Sequence, residues 1–133
     1  MRKIMVALVA IAAVSAVVFA GLGAEAQPTT VGSTVTIFKV PHHPHDQVRG
    51  KVLSSVKECR RNRPVSVFKD NTGAADTLVT TVNTGSDNRW GPVSVGAFTP
   101  GRFYASVSQV GVSSYYRGNV TCKADRSPDV HVK

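Results

Sequence analysis

Past its first 22 residues the chain has no long apolar run, no helical hydrophobic period and only two cysteines. The first absence leaves nothing else long enough to cross a bilayer as a helix, which needs about 20 apolar residues. The second excludes amphipathic helices, because apolar side chains at i, i+3, i+4 and i+7 are missing throughout. Chemical signatures are equally scarce. There is no Gly-x-Ser-x-Gly elbow, no glycine-rich phosphate loop and no carboxylate pair set in apolar sequence. The familiar patterns of serine hydrolases, nucleotide binders and glycosidases are therefore absent. Acidic residues are few, 8 against 16 basic, for a net charge of +8.

What is present begins with an export signal. Arg2 and Lys3 precede an uncharged stretch from Ile4 to Leu22, and Ala24-Glu25-Ala26 places small residues one apart before Gln27. That is the pattern of a cleavable secretory signal peptide over residues 1–26. Retention as a membrane anchor is the alternative, and the Ala/Val-rich run and well-placed cleavage box argue against it. Cleavage gives an expected secreted, extracellular chain of 107 residues, Gln27 to Lys133, enough for one domain with a modest core. Without Arg2, Lys3 and Glu25 the charge becomes 14 basic against 7 acidic residues, or +7. A domain so cationic attracts polyanions such as wall polymers, lipid headgroups or nucleic acid, but the preferred reading is that the charge keeps a secreted protein soluble.

In an oxidising compartment Cys59 and Cys122 are expected to form a disulfide. The bridge closes a loop of 62 intervening residues. By chain entropy such a loop contributes roughly 4 kcal/mol.

Between turn residues the mature chain alternates short runs rich in Val, Thr, Phe and Tyr. Strands are expected over Thr34–Lys39, Val48–Ser54, Pro64–Lys69, Thr77–Asn83, Trp90–Val95, Arg102–Val107, Asn119–Lys123 and Asp129–Lys133. Turns such as Asn71-Thr72-Gly73 and Thr99-Pro100-Gly101 separate them. Seven or eight such strands without helical crossovers must be mostly antiparallel. The expected fold is all-β, two stacked sheets in a sandwich, with residues 27–47 as an N-terminal arm carrying an edge strand and 48–133 as the domain proper. Trp90, Phe68 and Phe103 are expected in the core, and Tyr104, Tyr115 and Tyr116 against a sheet face, with an exposed aromatic surface for sugars or proteins as the alternative.

Two clusters are candidate sites. His42-His43-Pro44-His45-Asp46 gathers three imidazoles and a carboxylate, donors suited to zinc, nickel or copper. The prolines extend the segment and point adjacent histidines apart, so a polar surface arm is the preferred reading, with no metal or other cofactor expected. The block from Lys57 to Arg63 holds Lys57, Arg60, Arg61 and Arg63, whose forks match oxyanions. A solvated turn between strands is the preferred reading, with oxyanion binding as the alternative. No aromatic interleaves with these cations, which argues against specific nucleic-acid binding.

Certain runs also resemble a known family: Gly50-Lys51-Val52, Cys59 with Arg63-Pro64-Val65-Ser66-Val67, Asn88-Arg89-Trp90, Gly101-Arg102-Phe103-Tyr104-Ala105-Ser106-Val107, and Cys122-Lys123-Ala124 with Ser127, Val130 and Val132. Their order is similar to that of secreted bacterial carboxypeptidase regulatory-like, or prealbumin-like (transthyretin-like), seven-stranded β-sandwiches. The resemblance spans Val48 to Lys133 and implies a non-catalytic accessory or binding domain. Tyr116-Arg117-Gly118-Asn119 is close to the terminal tetrapeptide of the one prealbumin-like hydrolase, but differs in its last residue and lies 14 residues before the end. The expectation is therefore a monomeric binding module for an anionic wall polymer, glycan or protein partner. A small hydrolase on the same fold and a purely structural domain are the alternatives.

Overall fold

The computed structural model describes residues 29–133; the expected signal peptide and its cleavage point lie outside the described residues. Twelve strands run in chain order: β1 (Thr29–Val31), β2 (Thr34–Val35), β3 (Phe38–Val40), β4 (Gln47–Leu53), β5 (Pro64–Asp70), β6 (Thr77–Asn83), β7 (Arg89–Ser94), β8 (Gly101–Val107), β9 (Val110–Ser114), β10 (Gly118–Cys122), β11 (Asp125–Arg126) and β12 (Val130–Val132). Short 3₁₀ turns at Lys57–Cys59 and Gly96–Phe98 are the only helical pieces among the described residues.

The strands form three sheets. β4 pairs with β2, β3 and β7; β8 pairs with β5, β11 and β12, and β5 with β6; β10 pairs with β9 and, in parallel, with β1. All other pairings are antiparallel. The fold is thus all-β and mostly antiparallel, with one disulfide between Cys59 and Cys122.

Period-two alternation sets which side chains meet. In β4, Val48, Gly50 and Val52 are buried while Arg49, Lys51 and Leu53 face water. Val35, Val48, Val52, Trp90, Val93 and Val95 meet Val65, Val67, Phe103, Ala105, Val107 and Val132 from the β8 sheet in one apolar cluster. Removing side chains this size from water stabilises the fold by about 1.5–3 kcal/mol each. A second, smaller cluster of Val31, Val56, Cys59, Val120 and Cys122 is built around the disulfide.

Several expectations are corrected. The opening strand expected over Thr34–Lys39 is two strands, broken at Thr36. The carbonyl of Thr36 accepts from the Trp90 indole Nε1 at 3.2 Å, so the amide of Lys51 bonds the Thr36 hydroxyl instead, at 3.0 Å. The regular ladder stops there because one acceptor has been diverted. Within the expected N-terminal arm, β1, β2 and β3 each pair with a strand of a sheet. Phe68 leaves the core: Val65 and Val67 point inward, so Phe68 faces out and stacks on Tyr104 with centroids 5.3 Å apart. Trp90 and Phe103 are buried as expected.

Candidate functional site

The basic block from Lys57 to Arg63 folds as a 3₁₀ turn followed by a sharp reversal. The amides of Arg60 and Arg61 bond the carbonyl of Lys57 at 3.1 and 3.2 Å, and Asn62 takes a left-handed φ of 46°. Buried Thr84 pins the reversal: its hydroxyl donates to the Arg60 carbonyl at 2.6 Å and accepts from the Arg63 amide at 2.9 Å.

This geometry divides the four cations. Lys57 and Arg61 are exposed, and Arg60 is half-buried. Arg63 is only 2% exposed, which removes it from the anion-binding surface expected of it. Its guanidinium donates to the Ser33 hydroxyl at 3.0 Å and to the carbonyls of Cys59, Ser108 and Lys123 at 2.8–2.9 Å. Burial lowers its pKa, yet an arginine stays charged. Backbone carbonyls supply three of the four acceptors around the charge, and four of its five N–H donors are already taken.

In place of Arg63 the fold supplies groups from elsewhere. The β9–β10 hairpin turns through Tyr115, Tyr116 and Arg117 beside the 3₁₀ turn. With Ser55, Val56, Lys57, Glu58 and Ser114 they line an open cleft of about 560 Å³. Tyr115 and Tyr116 are 89% and 91% exposed, not packed on a sheet face as expected, and their rings meet edge to face at 5.0 Å. The reason is the turn itself: Gly118 at φ 67° opens β10, and the two residues before Arg117 project from the hairpin tip. Two neighbouring exposed rings beside Lys57 and Arg117 form an amphipathic surface with net positive charge. Aromatic rings with a polar edge are favoured where one face of a ligand is apolar and the other is wet. The near-match to the hydrolase tetrapeptide, Tyr116 to Asn119, is this same hairpin turn.

The histidine segment lies in the exposed β3–β4 loop. The His42 amide bonds Asp46 at 3.4 Å and His45 Nδ1 meets the Thr99 hydroxyl at 3.3 Å. No three His, Cys, Asp or Glu side chains among the described residues are grouped to hold a metal ion.

A polar cluster covers the outer face of the β8 sheet. Tyr104 donates to Asp76 Oδ2, and the Arg126 guanidinium lies over the Tyr104 ring, 3.6 Å from its centroid. Desolvation and then the Asp76 bond push the Tyr104 phenol up to about 12. That bond, followed by the Asn71 amide, holds Asp76 below the ordinary carboxylate range. A shared hydrogen bond with Asp129, followed by burial, raises Asp70. Arg126 also pairs with Asp70 and Asp129 at 3.6 and 3.4 Å. Every member of this cluster is occupied by a neighbour, so it clasps β8 to β11 and the β5–β6 loop.

Comparison with family models, curated proteins and solved structures gives no match to this chain.

Proposed function

We propose that the chain is a secreted, non-catalytic binding domain on a prealbumin-like β-sandwich, and that its tyrosine cleft takes an anionic glycan polymer. The observation that carries this reading is the meeting of Tyr115 and Tyr116 with Lys57 and Arg117 around one open cleft. The rings offer flat surfaces for the apolar faces of sugar rings, and the cations offer donors for carboxylate or sulfate groups. An exposed aromatic pair of this kind marks a contact surface rather than a core. Among the described residues the cleft pairs no hydroxyl nucleophile with a hydrogen-bonded base, which favours binding over hydrolysis. The fold reading draws on the two sheets that share one core, and the export reading on the disulfide and the N-terminal signal.

The test is calorimetric titration of the secreted protein with a linear uronic-acid polymer and with its methyl-esterified, uncharged form. Binding of the charged polymer alone, weakened about tenfold or more by Tyr115→Ala with Tyr116→Ala, supports the proposal. Equal binding of both polymers, no binding of either, or unchanged affinity in the double variant overturns it.

A further inference from the structure

A second cationic surface lies on the β4–β7 ladder. The alternation that buries Val48, Gly50 and Val52 sends Arg49 and Lys51 outward, and Arg89 projects from the first position of β7. Lys51 stands directly across the ladder from Arg89. Two like charges at opposed positions repel, so this arrangement is unfavourable on its own. Arg49 is opposed by Phe38, with its guanidinium 5.0 Å from the ring centroid, which holds the fork over the surface. The only ion pair in the group is an open one, Arg89 Nε to Asp87 at 3.9 Å, with both side chains mostly in water. Among the described residues Arg49 and Lys51 have no carboxylate partner.

These side chains border a cleft of about 460 Å³ with a rigid base. Trp90 is buried beneath it, and a Cβ on Gly50 would lie 1.8 Å from the Thr36 carbonyl oxygen. Gly91, at φ 80°, leaves the ladder bare of a side chain beside Arg49. Three cations against one carboxylate give the cleft a net charge of +2. Two guanidinium forks and an ammonium supply more donors than the two coplanar oxygens of a carboxylate can accept. A tetrahedral oxyanion accepts from three directions.

We infer that the cleft edged by Arg49, Lys51 and Arg89 binds a phosphate or sulfate group, whether as a free ion or borne on a polymer. The bound group relieves the repulsion between Lys51 and Arg89, and the three donors fix its orientation. The site rests on different residues from the tyrosine cleft, and either can fail without the other.

The experiment titrates the full secreted protein with inorganic phosphate, a polyphosphate chain, a sulfated glycan and the uronic-acid polymer, following backbone amide resonances. Phosphate, polyphosphate or sulfated glycan should shift the amides of Arg49, Gly50, Lys51 and Arg89. Replacement of Lys51→Gln with Arg89→Gln should weaken that binding by about tenfold or more, since charge-assisted contacts are lost. The same variant should bind the uronic-acid polymer as wild type does. Free phosphate binding as tightly as either polymer identifies a small-ion site, and tighter binding of a polymer identifies a polymer-borne group. Resonances that do not move in the wild-type protein, or unchanged affinity in the variant, would overturn the inference. The wild-type shifts decide the matter even if the variant folds poorly.

Discussion

The guanidinium of Arg63 donates a 2.9 Å hydrogen bond to the carbonyl oxygen of Cys59, whose own side chain is bridged to Cys122. One arginine therefore braces the backbone at one end of the disulfide. Through Lys123 it also holds the residue next to the other end. Its remaining partners, Ser33 and Ser108, come from the β1–β2 and β8–β9 connections. Four separate segments converge on one charged group.

Arg63→Ala should destabilise the protein by at least about 3 kcal/mol, because several buried acceptors lose their donor at once. Arg63→Lys should recover only part of this, since one ammonium cannot match the fork. Arg61→Ala, at an exposed position, should change stability by less than about 0.5 kcal/mol. Urea unfolding of the three variants checks the order. Similar losses at Arg61 and Arg63 would contradict the assigned roles.

Replacing Cys59 and Cys122 together by Ala should cost about 2–5 kcal/mol. The melting temperature should fall by more than about 10 °C. The bridge constrains the unfolded chain across 63 positions and also fills the centre of the smaller core. A thermal melt of the double variant measures the cost. A melt within a few degrees of wild type would show that the smaller core stands without it.

The strands were legible wherever alternation was strict, as in β4, β5 and β8. They were missed where small residues hid it. β9 carries Gly111, Ser113 and Ser114, which read as loop, so the hairpin tip that presents Tyr115 and Tyr116 was invisible. The basic block was legible as a cluster, but its division was not. Arg63 is buried because Thr84 and four acceptors hold it, three of them 30, 45 and 60 positions away in sequence. Lys51 and Arg89 are adjacent only through ladder register, which no local pattern reveals.

The Tyr104 phenol is raised to about 12, so the protonated form is favoured by the fold. Its contribution to stability is complete below the unfolded value near 10 and is lost as pH rises through about 12. Asp76 has the opposite sign: its contribution is present above the unfolded value near 4 and is lost as pH falls through its lowered folded value. Spectrophotometric titration should show one tyrosine ionising near pH 12, and Tyr104→Phe should delete that component. Its survival in the variant would refute the assignment.

Gly50→Ala should destabilise the protein by about 3 kcal/mol or more, because the new methyl would meet backbone at Thr36 and the Trp90 indole. Gly111→Ala, with open space around it, should be close to neutral. Comparable midpoints for the two variants in urea would show that β4 can shift to admit a side chain.

If the cleft of Lys57, Tyr115, Tyr116 and Arg117 grips an anionic glycan through its charge as well as its rings, affinity must respond to salt. The most direct measurement is the salt dependence of uronic-acid polymer affinity, in wild type and in the Lys57→Gln, Arg117→Gln variant. Exposed charges are screened within about 8 Å at physiological ionic strength, so wild-type affinity should fall steadily as salt rises. The double variant should bind more weakly at low salt and show a clearly shallower slope. Parallel slopes for the two proteins, or an affinity indifferent to salt, would contradict the claim.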